Sequence, residues 1–440
     1  MANAATAYTP SVRAEVVTRR TYNRPLNDQG TVFETWAETV DRVILHQQWL
    51  WERAAGRKLS STQLQELAVL RVLMMDRKVL PSGRTLWLGG TEVAQTREAS
   101  MFNCSFARTE TVHDIVDQMW LLLQGCGVGF EPIVGVLSGF SKPVRLEVIR
   151  STKTNPEDKG AEDNAETFVD GVWTIRVGDS AQAWAKFFGK LMANKRSMDK
   201  LVVDFSEIRP AGVRLKGYGW ISSGDETISE AITAIVTLMN YRAGLLLTRI
   251  NILDIVNWMG TVLSSRRSAE ICLVPFGDPE WAQFATAKKD HWSNGNPQRA
   301  QSNNSLLFHH KPSRAELSGI FDMMIDAGGS EPGFINAQSA LKRAPWFKGV
   351  NPCAEILLGN KSFCNLVEVD LGKFNGDWDG LCVAIRLVAR ANYRQTCVDL
   401  RDGVLQSTWH ELNEFLRLCG VGLTGIVRWE FQHSQTHRAT

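Results

Sequence analysis

The chain has 440 residues, 44% of them apolar and 22% charged. That length holds a large core, in one large domain or several smaller ones, and the composition is that of a soluble globular enzyme. A net charge of +2 gives no electrostatic case for nucleic acid or a membrane surface as partner.

Residues 1–30 are polar and are expected to be loosely held. Apolar residues at three- and four-residue spacing predict helices over residues 32–53 and 61–76, the second capped by Ser61 or Thr62. Residues 111–123 form a further helix that runs into a glycine turn at Gly125. Residues 145–151 and 201–205 are short apolar strands. Between them, residues 152–163 are charged and contain Pro and Gly, a surface loop able to order on a ligand. Residues 181–193 read as helical. Residues 227–259 read as one long helix or two in succession. Asn240, Arg242, Arg249, Asn251 and Asp254 interrupt the apolar run there, so it is a buried or amphipathic helix and not a membrane span. Residues 290–304 are polar, with turn chemistry at Asn294-Gly295-Asn296-Pro297. Residues 314–327 are helical and lead into Gly328-Gly329. Residues 355–358 and 366–369 flank the segment that carries Cys353 and Cys364. Strands alternating with helices predict an α/β fold.

The densest chemistry lies at Asn351-Pro352-Cys353-Ala354-Glu355, with a second thiol eleven positions on in Ser362-Phe363-Cys364-Asn365. Side chains alternate along an extended strand, so Asn351, Cys353 and Glu355 are expected to project to one face. That face would carry a sulfur, a proton acceptor and an amide able to orient a hydroxyl. A cysteine beside a glutamate is by itself more often buried and inert. The preceding Pro352 and the second cysteine weigh against that reading.

With these residues the chain resembles the catalytic subunit of ribonucleotide reductase, whose motif is Asn-Pro-Cys-x-Glu. The short spacing from Cys353 to Cys364 resembles the small monomeric adenosylcobalamin-dependent (class II) branch. Other segments agree in order: Pro81-Ser82-Gly83-Arg84-Thr85-Leu86-Trp87, Phe102-Asn103-Cys104-Ser105, Gly125-Cys126-Gly127-Val128-Gly129-Phe130, Arg266-Arg267-Ser268-Ala269, Ser302-Asn303-Asn304-Ser305 and Gly420-Val421-Gly422-Leu423-Thr424-Gly425. The resemblance runs from about residue 70 to about residue 430. It implies a ten-stranded α/β barrel whose central finger loop carries Cys353, occupying residues 76–440 behind a helical region at residues 1–75.

The same resemblance implies roles. Cys353 would be a thiyl radical that takes the 3′-hydrogen of a ribonucleoside di- or triphosphate. Glu355 would accept the 3′-hydroxyl proton, and Asn351 would hold the substrate hydroxyls by donating and accepting. Cys104 and Cys364 would supply two electrons and a proton and end as a disulfide. Ser82, Asn103, Gly127 and Gly129 would lie on the substrate side. Arg266 and Arg267 would lie near a deoxynucleotide effector; as residues alone they read equally as a solvated face. Adenosylcobalamin is the implied radical source, the alternative being a separate dimetal subunit, and an external dithiol such as thioredoxin the reductant. The cytosol is the expected compartment.

The remaining thiols read otherwise. Cys126 sits in a glycine turn and is expected to be structural, while Cys272, Cys382, Cys397 and Cys419 are expected in the core. Without Cys-x-x-Cys or zinc-spaced histidines, no metal site is expected. The segment after Gly425 lacks the Pro-Thr-Ala-type phosphate-binding segment and the two-cysteine tail usual in the family. The C-terminal part of the barrel is therefore expected to be missing or reduced, with a second barrel half as a partner. Two other readings stand beside the enzyme: a reductase-like nucleotide-binding chain that complements another, and a cysteine hydrolase. The hydrolase needs a histidine to activate Cys353, and none lies in a recognisable partner motif.

Overall fold

The structure is a computed structural model that describes residues 9–27, 29–193, 196–215, 218, 220–263 and 269–429. Arg266 and Arg267 lie outside the described residues. The strands in chain order are β1 (Val79–Pro81), β2 (Cys104–Thr109), β3 (Gly127–Pro132), β4 (Arg145–Ile149), β5 (Ala165–Val169), β6 (Val172–Arg176) and β7 (Lys200–Asp204). They continue with β8 (Glu270–Pro275), β9 (Ser302–Leu307), β10 (Gly333–Ile335), β11 (Gly349–Val350), β12 (Leu357–Leu358), β13 (Ser362–Asp370) and β14 (Cys419–Thr424).

Eight of these strands make the main sheet, in the order β1-β13-β2-β3-β8-β9-β10, with β14 also bonded to β13. From β2 to β10 every pairing is parallel. β13 is antiparallel to β2 and β1, and β14 follows it in parallel. The sheet is a curled half-barrel. Parallel strands are covered on both faces, and so read as continuous apolar runs. In β8, Cys272 and Val274 join the core on the helix side. Ile271 and Leu273 join a second cluster, with Phe106, Val350 and Leu358, on the other face. One cross-strand row on that face runs Phe106, Gly129, Ile271, Asn303.

The helix Ala181–Ala193 packs Trp184, Phe187 and Phe188 into the main core. A separate four-stranded sheet, β4-β7-β6-β5, lies in the sequence between β3 and β8. Its hairpin turns at Asp170-Gly171, both with positive φ (49° and 74°), the conformation an Asp-Gly turn favours.

Two expectations are corrected here and a third is narrowed. The N-terminal stretch contains a helix, Val12–Thr21, capped by Ser11 and carrying Arg19 and Arg20 in its last turn. Its valines Val12, Val16 and Val17 face outward, so it lacks the apolar face that periodicity detects. The following helix, Ser61–Met75, is capped by Ser60. The run over 227–259 is two helices, Glu226–Tyr241 and Arg249–Thr261, with Thr248 and Asn251 forming a capping box at the start of the second. The helices Trp36–Ala55 and Ser61–Met75 share a core with β13 and the helix Trp378–Thr396, through Val40, Val43, Leu70, Val367, Val369 and Leu381. No helix among the described residues is long and apolar enough to cross a membrane.

Candidate active site

The finger is the hairpin of β11 and β12, with Gly349 opposite Leu358. It lies on the inner face of the sheet because that face is cut away beneath it. A Cβ on Gly129 would strike the Val350 carbonyl oxygen. A Cβ on Gly127 would stand 3.0 Å from Pro352 Cγ and 3.3 Å from Cys104 Sγ. Pro352 and Cys104 thus meet over Gly127, and the two glycines give the finger its clearance.

The tip is a turn and not a strand. The Ala354 N–H donates to the Asn351 carbonyl at 2.8 Å, and the Ile356 N–H donates to Asn351 Oδ1 at 3.0 Å. Ala354 has φ 64°, which costs a non-glycine residue about 1 kcal/mol and persists where surroundings hold it. The expected alternation therefore fails. Asn351 is fully buried, whereas Cys353 and Glu355 are exposed together at the tip. Asn351 Oδ1 accepts one bond from the loop, which leaves the Asn351 amide its donor side and one further lone pair. Across the tip, Asn303 Nδ2 donates to the Pro352 carbonyl at 3.1 Å.

Beneath the finger, Cys104 and Cys364 are directly opposed on antiparallel strands. Such positions stand about 4.5–5.5 Å apart at Cα, within the roughly 4.4–6.8 Å that a disulfide spans. Both are free thiols; Cys104 is half-buried and Cys364 buried. A hydrogen bond from Cys364 holds the Cys104 pKa below the ordinary thiol value, against the penalty of burial, with help from Asn351 and the Arg84 guanidinium. The same hydrogen bond, with burial, holds Cys364 well above it. Of the pair, Cys104 is thus the more readily deprotonated thiol and Cys364 the one that holds its proton more tightly.

Ser82 caps the short helix Gly83–Leu88, accepting the Thr85 N–H at 3.2 Å, and is buried. The Asn103 carbonyl accepts the Gly127 N–H at 2.7 Å. Arg84 donates Nη1 to the Gln124 carbonyl at 2.9 Å and Nη2 to the Gly125 carbonyl, with Trp220 5.3 Å from its guanidinium carbon. Burial pushes Cys126 up to about 12, and Cys272 well above the usual thiol value. The core expectation fails for the other three thiols: Cys382 and Cys419 are exposed and Cys397 is half-buried. Cys419 lies at the start of β14, which pairs only with β13 among the described residues. Asn303 was visible in the sequence as one of four polar residues opening a strand, but nothing there tied it to Cys353.

Residues 2–91 match the family model for the ribonucleotide reductase alpha domain. The chain is 28% identical to the adenosylcobalamin-dependent ribonucleoside-triphosphate reductase of Lactobacillus helveticus (strain DPC 4571), over 94% of this chain and 61% of that protein. The protein of the same name from Lactobacillus leichmannii is 25% identical over the same shares. The chain thus spans about three-fifths of the length of the curated relatives it matches. A crystal structure of a B12-dependent (class II) ribonucleotide reductase superposes with a TM-score of 0.75 at 24% identity, covering 94% of this chain and 62% of that one. The chain has the α/β fold of the ribonucleotide reductases. Within that class its likeness is to the adenosylcobalamin-dependent catalytic subunits.

Proposed function

We propose that the chain reduces ribonucleotides to 2′-deoxyribonucleotides through a thiyl radical on Cys353. One observation carries this reading: an exposed thiol and carboxylate, Cys353 and Glu355, at the tip of a finger seated on the opposed dithiol Cys104 and Cys364. Once oxidised by one electron, Cys353 abstracts the 3′-hydrogen, because S–H and activated C–H bonds are of similar strength. Glu355 takes the 3′-hydroxyl proton, and the Asn351 amide donates to a substrate hydroxyl. The 2′-hydroxyl leaves as water with a proton from the dithiol. Cys104 and Cys364 give two electrons and their second hydrogen, which goes to C2′, and become a disulfide, while Glu355 returns its proton to the 3′-oxygen and Cys353 returns the hydrogen to C3′. One C–O bond is replaced by C–H, with one water and one disulfide formed.

The relatives are named for ribonucleoside triphosphates and adenosylcobalamin, and we assign both to this chain. When bound, that cofactor supplies the one-electron oxidant for a thiol. The exposure of Cys353 suits an oxidant delivered from outside the chain. An external dithiol such as thioredoxin restores Cys104 and Cys364. In this reading Ser82, Asn103, Gly127 and Gly129 line the substrate side, Arg266 and Arg267 meet a deoxynucleotide effector, and the enzyme works in the cytosol. Residues 1–75 form an N-terminal helical region ahead of the barrel domain of residues 76–440.

A barrel of ten strands needs more than these eight. The side of β14 that no described strand covers, and the exposed Leu423, Ile426 and Val427 beside it, favour uptake of further strands there, such as those of a second barrel half. The test is deoxynucleotide formation from a ribonucleoside triphosphate with adenosylcobalamin and dithiothreitol, without iron or manganese. Product that appears only with a metal-loaded partner would overturn the cofactor assignment. No product under either condition would favour the second-chain requirement.

A further inference from the structure

We infer that Asn303 is a positioning residue for the reacting loop: its amide holds the Pro352 carbonyl and so fixes the turn that presents Cys353. The inference rests on the reading of Cys353 as the reacting thiol. Asn303 ends the row Phe106, Gly129, Ile271 on the face where the finger lies, and its Nδ2 donates to the Pro352 oxygen at 3.1 Å. The loop's bonds through Asn351 close it on itself, whereas the Asn303 bond ties it to the parallel strands.

The residues on either side of Asn303 face the helices and are pinned there. Ser302 Oγ lies 3.2 Å from Asn257 Oδ1 and 3.0 Å from Asn304 Oδ1. Asn257 Nδ2 donates to Glu270 at 2.7 Å, and Lys288 Nζ donates to the Ser302 carbonyl. All four of Ser302, Asn304, Asn257 and Glu270 are buried. The backbone that carries Asn303 is thereby anchored, and its side chain meets the loop pre-organised.

Pro352 has no N–H and a ring-fixed φ, so its carbonyl is its one backbone handle. Holding that oxygen fixes the plane of the Pro352–Cys353 peptide, and with it the direction of Cys353. A misplacement of about 1 Å at a reacting atom can cost about 100-fold in rate.

The test pairs Asn303→Ala with the isosteric Asn303→Asp, which removes the donor and sets an acceptor against the carbonyl. Loss of one neutral hydrogen bond should raise amide hydrogen exchange of residues 353–356 by about threefold to tenfold, with β8 amides as an unchanged internal reference. In turnover with adenosylcobalamin and a ribonucleoside triphosphate, kcat should fall by about tenfold or more while KM moves by about twofold or less. Asn303→Gln, which keeps the amide, should recover part of the loss. Unchanged exchange at 353–356 in both variants would overturn the inference, as would equal acceleration in β8. Exchange needs no turnover, so it decides the role of Asn303 even if the wild-type chain makes no deoxynucleotide.

Discussion

Cys104 and Cys364 are paired face to face across antiparallel strands, and their thiols share a hydrogen bond that lowers the pKa of Cys104 and raises that of Cys364. Such a pair can release two electrons and two protons without rearranging the backbone. After one turnover without external reductant, Cys104 and Cys364 should be found as a disulfide by peptide mapping. Both thiols still open to alkylation after product has formed would remove them from the reaction.

Glu355 stands exposed at the finger tip, two residues from Cys353. Glu355→Gln keeps the shape and removes the proton acceptor. Turnover should drop by about 10²–10⁴-fold, the usual cost of losing a general base, with the folded state unchanged by circular dichroism. Activity within a few-fold of wild type would exclude Glu355 as the base.

Gly129 is the space into which the Val350 carbonyl descends. Gly129→Ala forces the hairpin off the sheet or shifts β3, at a cost of about 1–3 kcal/mol. The urea midpoint should fall accordingly, and turnover with it. An unchanged midpoint would mean that the finger is not seated as described.

His46 is buried against Trp49, and neither of its ring nitrogens has a hydrogen-bond partner among the described residues. Burial, with Arg53 and Arg42 nearby, depresses its pKa from 6.5 to about 4. The unfolded chain therefore takes up this proton first as pH falls. The contribution of His46 is whole above pH 6.5 and is lost progressively toward pH 4, about 3 kcal/mol in all. Buried carboxyls with raised values, Asp117 at about 7 and Glu270 at about 8, act in the opposite direction. Their stabilisation is present below the ordinary carboxylate range and is lost as pH rises through those values. Comparison with His46→Phe isolates the histidine: between pH 7 and pH 5 the wild-type urea midpoint should fall relative to that of the variant. Parallel midpoints would contradict the assignment.

Local pattern was readable wherever local forces decide. The helices Ala181–Ala193 and Arg314–Ala327 run between the residues that periodicity and flanking glycines mark. The Asp170-Gly171 turn is itself a hairpin signal, but its strand β5 is exposed along its whole length and has no alternating apolar face to mark it as a strand. The register of the site was not legible. Cys104 meets Cys364 only through strand pairing across 260 positions, and Asn303 meets Pro352 only once the finger has folded back. The alternation expected for Asn351, Cys353 and Glu355 failed because Pro352 starts a turn. The outward position of Cys382 and Cys419 follows from which face of a helix or strand is covered, which no single-residue preference encodes.

The hydrogen abstraction assigned to Cys353 is open to one decisive experiment. The direct measurement is deoxynucleotide formed in a single turnover by the wild-type chain and by Cys353→Ser, each with the same adenosylcobalamin, dithiol and ribonucleoside triphosphate. Serine is close in size but forms no comparable radical. Up to one product per wild-type chain is expected and none from the variant, with ribonucleotide binding retained in both. Product from Cys353→Ser at more than a trace would contradict the assignment.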